Sequence, residues 1–563
     1  MRRCPPPLLL ALLAPAVAAG QTVLPRTHKP ERTVPAITAR DLMTRLYIFA
    51  DDSMQGRQGG TIGNVKGTDY IAAEVKRLGL EPAGEAGSYF QTIPLKTRTF
   101  DTTSTFAVAG APLAQDDYLA LGPRSLESPS LDVVYGGNAA DSASWVVPDQ
   151  ASGKLVVFAV PGGVTGLRAL RAGPRIPGAA AVALVALDSL PVQIAAFLRR
   201  PRSFLDDEQS PAAAQSFGLL ITKAAAARMF PTPLDQLTTG AAGGTVAIAV
   251  RFDVKPVADP ARNVVAIVRG SDPRLRGEFV AIGAHNDHIG MTRRPVDHDS
   301  IRIWNHLVRP EGADDAGKQA TPEQQARVDS LLAAFRARHP GDDRPDSINN
   351  GADDDGSGSV SALEIAERIA TLKQKPKRSI LFVWHTGEEL GLLGSRYFTD
   401  HPTVPRDSIV AQLNMDMVGR GDADDETGRT KDGTPLHGGP RYLQLVGSRR
   451  LSTELGDLIE RVNTQDRHGL AFDYSIDADG HPSNIYCRSD HYEYARYGIP
   501  ITFFTTGLHS DYHQVTDEPE YIDYEHMARV ANLVEDIAVH AADLDHRLVV
   551  DHPKPDPSAP CRQ

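Results

Sequence analysis

The sequence predicts an α/β protein, with a doubly wound, mostly parallel central sheet flanked by helices and an inserted β-rich domain. Three observations lead there. Nearly continuous apolar runs at 264–268, 279–283, 380–384, 409–414 and 501–504 have the texture of strands buried on both faces. Helical periodicity lies between several of them, notably from Val360 with Leu363, Ala366 and Ile369 on one side, and this alternation builds parallel sheets. Between 125 and 255, short β-rich runs punctuated by Gly and Pro carry no Asp/His/Glu cluster, which marks a separate unit.

In chain order, Arg2 and Arg3 precede the apolar run 8–19, broken by Pro15 and closed by small residues. That is a secretory leader pattern over 1–20, too short to span a bilayer, so an exported protein without a transmembrane segment is expected. Residues 21–37 read as a linker. The segment 38–124 is the first part of the catalytic domain: Thr38 to Asp41 opens a helix, and a second helix is expected over 69–78, stopped by Gly79. The β-rich unit follows at 125–255, then the main catalytic segment at 256–546 and a tail at 547–563. A polar insert at 291–348 contains a helix capped by Thr321, with Pro322 at its first position and Gln324 completing the box. Val328, Leu331, Leu332 and Phe335 form its apolar stripe, and the insert is a candidate border for a substrate cleft.

The chain has 563 residues, 41% apolar and 23% charged, with a formal charge of -12. That length suits two or three domains, and the absence of a basic concentration speaks against nucleic acid as partner. Of three cysteines, Cys4 falls in the leader; Cys487 and Cys561 are free to pair or to stay as thiols. No Cys-x-x-Cys occurs, so a structural thiolate zinc site is excluded.

Five short stretches carry the chemistry. They are Ala284-His285-Asn286-Asp287-His288, Ala352-Asp353-Asp354-Asp355-Gly356, His385-Thr386-Gly387-Glu388-Glu389, Asn414-Met415-Asp416 and Asp511-Tyr512-His513. Three adjacent carboxylates resist joint ionisation unless a cation sits against them. Several of these stretches directly follow strand candidates, and ligands in such sheets gather at the carboxyl ends of strands. The inventory suits two divalent ions with nitrogen and oxygen ligands. Asp354 is the expected bridge, with Asp353 and Asp355 shaping the turn. His285 and Asp416 would complete one metal, Glu389 and His513 the other. Asp287 would accept the imidazole proton of His285 and fix its tautomer. Glu388 would take the proton of the attacking water and return it to the leaving amine. Tyr512 is a candidate donor to the oxyanion. His288, His385 and His509 are not assigned to metal.

These motifs, in this order, resemble the secreted co-catalytic zinc aminopeptidases, a family that includes plasma glutamate carboxypeptidase and the glutaminyl cyclases. The resemblance covers about 260–540 and the helices of 38–92. It implies a zinc exopeptidase fold, two Zn2+ per chain and peptide substrates. Arg488-Ser489-Asp490-His491 is similar to a segment near that family's substrate pocket, which implies Arg488 and Asp490 as substrate-binding residues. The β-rich unit loosely resembles the protease-associated domain. The resulting expectation is an exported aminopeptidase. A carboxypeptidase or dipeptidase, a glutaminyl cyclase and a binding ectodomain stay open as alternatives, and nothing in the sequence sets the oligomeric state or the side-chain preference.

Overall fold

The computed structural model describes residues 24–121, 125–162, 166–167, 170, 176–206, 217–557 and 559–563. The leader expected over 1–20, with Cys4, lies outside them. Among the described residues, the main sheet consists of β1 (Glu81–Pro82), β2 (Phe90–Ile93), β3 (Ala261–Val268), β4 (Phe279–His285), β5 (Ser379–His385), β6 (Ile409–Met415), β7 (Tyr442–Val446), β8 (Ala471–Asp473) and β9 (Ile501–Thr505). Their spatial order is β1-β3-β5-β4-β6-β9-β7-β8, with β2 also paired to β3. The four central strands, β5, β4, β6 and β9, are parallel. Antiparallel pairings of β3 with β5 and of β7 with β9 flank them.

The apolar runs are continuous because successive side chains enter two different cores. Val264, Ala266, Val280, Ile282, Ile380 and Phe382 face one side. Val265, Ile267, Ala281, Leu381 and Val383 face the other. The first core is covered by α1 (Ala39–Phe49), α2 (Ile62–Arg77), α5 (Gly358–Thr371), α6 (Thr453–Gln465) and α7 (Tyr524–Asp543). Thr38 caps α1, its hydroxyl accepting the Asp41 N–H at 3.2 Å. Helix α2 starts seven residues before the expected Asp69, because Gly63 and Gly67 read as helix breakers. Here they serve close packing: a Cβ on Gly63 would stand 2.2 Å from the carbonyl oxygen of Met54. Buried Arg45 on α1 joins three helices, donating to Glu364 and, at 2.5 Å each, to Glu74 and Glu367.

The insert holds α3 (His298–Val308) and α4 (Pro322–Arg338), with a ribbon of Met291–Asp297 against Pro345–Ile348. The α4 capping box is formed as its sequence predicts, the Thr321 hydroxyl accepting from Gln324 at 3.2 Å and the Gln324 side chain from Thr321 at 2.9 Å. Of its stripe, Val328 is buried and the other three are half-buried.

Among the described residues of 105–250, eight strands form a second sheet. It draws in Thr105–Val108, Ala111–Pro112 and Tyr118–Ala120, which precede the expected boundary at 125. Four of its strands, Leu126–Asn138, Leu155–Ala159, Ala181–Val185 and Phe217–Ile221, run parallel. A three-stranded ribbon of Arg202–Leu205, Leu95–Phe100 and Phe252–Pro256 connects the unit to the main body. Cys487 and Cys561 form a disulfide, Cα atoms 5.7 Å apart, that fastens the tail beside residues 485–488. Among the described residues no helix is long and apolar enough to cross a membrane.

Candidate active site

The carboxyl ends of β4, β5 and β6 deliver His285, the Gly387-Glu388-Glu389 turn and Asp416 to one place, as strand topology requires. The loop 349–357, which leads into α5, and the loop after β9 supply Asp354 and His513. Asp354 stands between two clusters. Its Oδ1 is 3.0 Å from His285 Nε2, which is 3.6 Å from Asp416 Oδ1. Its Oδ2 is 2.9 Å from His513 Nε2, which is 3.0 Å from Glu389 Oε2. All five residues expected as ligands therefore stand together, with Asp354 between the two groups. His288, which the sequence did not single out, joins them. Its Nδ1 is 2.7 Å from Glu389 Oε1 and 3.8 Å from Asp354 Oδ2. Within each cluster, His285/Asp354/Asp416 and His288/Asp354/Glu389/His513, one donor atom per residue lies within 4.8 Å of all the others.

The donors fit metal better than they fit one another. His285 Nε2, both ring nitrogens of His288 and Glu389 Oε1 are buried without a hydrogen-bond partner. Burial pushes the pKa of His285 down, but the Asp416 and Asp354 carboxylates more than reverse this and hold it well above the ordinary value. Burial pushes Asp354 up, and the His285 and His513 rings that face its two oxygens overturn that, leaving it well below. Two cations of the zinc type would neutralise the same carboxylates.

Around the clusters, backbone amides are gathered by carboxylates. Asp355 accepts the His285 N–H at 3.0 Å, the Gly358 N–H at 2.8 Å and the Met417 N–H at 3.3 Å. Asp353 accepts from Gly419 at 2.7 Å, and its other oxygen is 3.2 Å from His509, which gives His509 a supporting place away from the donors. Asp355 and Asp353 do shape the turn. Gly351 has φ +56°, and a Cβ there would meet the Asp354 carbonyl at 2.2 Å and the His288 ring at 2.5 Å.

Three expectations need correction. The His285 Nδ1 partner is the backbone oxygen of Asp287, at 3.0 Å; the Asp287 carboxylate is 3.8 Å away. That carboxylate turns instead to the N–H groups of Gly387 and Glu388, at 2.7 and 3.2 Å, because a residue two positions after the strand end cannot fold back onto the ring and still cap the neighbouring turn. Asp490 is fully buried and lies 3.4 Å from His385 Nδ1, so it does not face the cleft. Its neighbour Ser489 does, donating to Asp416 Oδ2 at 2.7 Å and accepting from Asn414 at 3.1 Å. Arg488 does line the cleft, but it is held by Asp314 of the insert through bonds of 2.6 and 3.1 Å.

The cleft is lined by Asp354, Glu388, Asp416, Arg488 and Tyr512 on its polar side, and by Met417, Ile476, Ile485, Phe503 and Leu508 on its apolar side. Glu388 is held well above the ordinary carboxylate range, by burial first and then by Glu389, Asp416 and Asp490 against the opposing pull of His285. The Tyr512 ring stacks on His513 at 4.1 Å, and its hydroxyl accepts from Arg488 at 3.3 Å. The insert borders this cleft: Glu311 lines it, and the Ala313 N–H donates to the Tyr512 carbonyl at 3.1 Å.

Two supporting residues gave no sequence signal. Buried Arg57 donates to the carbonyls of Asn286, Phe49, Asn350 and Gly351, at 2.6–3.2 Å, and so clamps two donor-bearing loops together. Asp517 accepts the N–H groups of Asp353 and Asp354 at 3.0–3.1 Å.

Residues 326–538 match the model of peptidase family M28. Leupeptin-inactivating enzyme 1 of Streptomyces exfoliatus is 39% identical over 77 residues, 13% of this chain and 18% of that protein. Leucine aminopeptidase 1 of Sclerotinia sclerotiorum is 30% identical over 195 residues, 32% of this chain and 44% of that protein. The chain thus spans less than half the length of these curated relatives. Among solved structures, an aminopeptidase from Aneurinibacillus sp. strain AM-1 is 17% identical with a TM-score of 0.47, covering 92% of this chain and 97% of that one.

Proposed function

We propose, with the membership of residues 326–538 in peptidase family M28 as premise, that this chain is an exported two-zinc aminopeptidase that removes N-terminal residues from peptides. The observation that carries the reading is the pair of donor clusters joined through Asp354, with Glu388 beside them in the cleft. His285, Asp354 and Asp416 would hold one ion. Asp354, Glu389 and His513 would hold the other, with His288 as a further donor. Two zinc ions, when bound, supply Lewis acidity and bring the pKa of water close to neutral. Glu388 takes the proton of the attacking water and later delivers it to the leaving amine. Asp287 orients Glu388 through the backbone, and Ser489 orients Asp416. The Tyr512 hydroxyl accepts from Arg488, which supports its role as donor toward the oxyanion.

Glu388 and Asp416 on the rim offer a counter-charge to a free α-amine. The neutralisation of Arg488 by Asp314 weakens the case for a pocket that grips a substrate carboxylate, and so favours an aminopeptidase over a carboxypeptidase. The disulfide between Cys487 and Cys561 supports an oxidising compartment and hence export.

The test pairs metal analysis with a substrate panel. Glu388→Gln should keep the zinc content of the parent and lose roughly 10²–10⁴-fold or more in kcat on a free-amine peptide. Cleavage should stop when the peptide is N-acetylated. A variant that turns over normally removes Glu388 from the role of base, and cyclisation of an N-terminal glutaminyl peptide in place of hydrolysis transfers the protein to the cyclase branch.

A further inference from the structure

A second group of donors lies apart from the residues of the cleft. His298 at the start of α3, Asp346 on the insert strand Pro345–Ile348, and Glu518 after the His513 loop each present a donor atom, all within 4.8 Å of one another. We propose that His298, Asp346 and Glu518 bind a third divalent cation, of the zinc type, which pins the insert to the loop carrying His513. One imidazole with two carboxylates is a nitrogen and oxygen set that suits zinc better than calcium or magnesium.

The observation pointing to a ligand is His298 itself. It is fully buried, and its Nε2 has no hydrogen-bond partner, an arrangement that a buried polar atom rarely tolerates. Its other nitrogen lies 3.3 Å from Asp299 Oδ1, the kind of carboxylate partner that orients a ligating imidazole. Its ring stacks on Tyr521 at 5.9 Å, which fixes its plane.

The two carboxylates have coordination capacity left. Glu518 accepts the Asn350 amide at 3.1 Å on Oε1, and Asp346 accepts the Ile348 N–H at 3.0 Å on Oδ1. Arg344 is directed at Glu520, at 2.5 Å, and stands 4.0 Å from Glu518. Arg302 lies over the Tyr521 ring and turns toward Asp511, at 3.4 Å. Asp52, Asp297, Asp299, Asp342, Asp346, Glu518 and Glu520 thus face three guanidiniums, those of Arg26, Arg302 and Arg344, and the surroundings stay anionic. The consequence reaches the cleft through short links. Glu518 follows Asp517, whose carboxylate holds the Asp353 and Asp354 amides, and Asn350 ties Glu518 to Asp52 at 2.7 Å.

The test compares full-length protein with His298→Ala and Asp346→Asn, each equilibrated with zinc, freed of unbound metal and analysed for zinc per chain. Wild type should hold one zinc more than either variant, and its melting temperature should rise more on zinc addition than theirs. The difference between proteins is read, so the outcome does not depend on how many ions the cleft holds. Asp346 is half-buried and its change to Asn keeps its shape, so this variant carries the test if His298→Ala fails to fold. Equal zinc content in wild type and the folded variants overturns the proposal.

Discussion

The Asp287 carboxylate takes the N–H groups of Gly387 and Glu388, and so fixes the backbone from which the proposed base projects. Asp287→Asn keeps the shape of the side chain and loses its charge, which weakens both of those charge-assisted bonds. It is expected to lower kcat roughly 10–100-fold, the scale on which such supporting partners act, with zinc retained and KM close to that of the parent. Kinetics and metal analysis check this, and a loss of zinc would instead make Asp287 a guardian of His285. At this scale the donors are legible in sequence because their chemistry is written locally: adjacent carboxylates, and a His near an Asp and a Glu-Glu pair that each follow an apolar run. Arg57 and Asp517 are not, because their partners are backbone groups brought close only by folding. Arg57 reaches carbonyls 229, 293 and 294 residues away. His288 carries no such mark, because a His directly after a complete motif has no spacing of its own.

Helices α1, α2 and α5 lie against one another over the sheet, and Arg45 is the charge that lets them do so. Three carboxylates converge on it, those of Glu364 and Glu367 almost completely withdrawn from solvent. Arg45→Met fills similar volume but leaves these acids buried without a counter-charge, a loss of roughly 3–5 kcal/mol at neutral pH. The pH dependence has a definite sign. Burial raises the Glu364 pKa to about 7, above its unfolded value, so protonating it in the folded state favours folding as pH falls below about 7. Glu74 behaves oppositely in the parent. Burial pushes its pKa up, but hydrogen bonds from Arg77 and Arg45 depress it overall, and its contribution is lost as pH falls through that depressed value. In Arg45→Met the Glu364 effect grows and the Glu74 effect shrinks. Urea unfolding should therefore find part of the lost stability recovered between pH 7 and pH 5, and a deficit that is the same at both pH values would contradict this account. Elements with local signals, such as the capped α4 and the two-faced strands β3 to β6, were readable. The start of α2 was hidden by glycines that serve packing, and α3 and its ribbon by a polar sequence whose partners lie outside the insert.

Across the whole molecule, the two sheets have separate cores. Every residue of the two main-sheet cores lies outside 101–251, and the eight-stranded sheet buries its own apolar side chains. The chain enters and leaves that unit through one antiparallel pair: Phe100 is opposite Phe252, and the Asp101 N–H donates to the Arg251 carbonyl at 3.0 Å. Strands so paired can be closed by a two-residue turn. Excising 102–250 with such a turn should leave a cooperatively folded protein with the zinc content of the parent and activity on short free-amine peptides. The expected penalty comes from the connecting ribbon. Leu205 packs with Ile93, Leu95 and Leu393 in a small core against the main body, and removing its strand gives up about 1.5–3 kcal/mol of apolar burial. Thermal unfolding and metal analysis of the excised protein decide the matter. A lower melting temperature with zinc intact makes the eight-stranded unit an appendage that stiffens one flank. Loss of zinc together with loss of cooperative unfolding would mean that the Arg202–Leu205 ribbon is integral to the catalytic fold, and that the division of the chain into an inserted unit and its host is wrong.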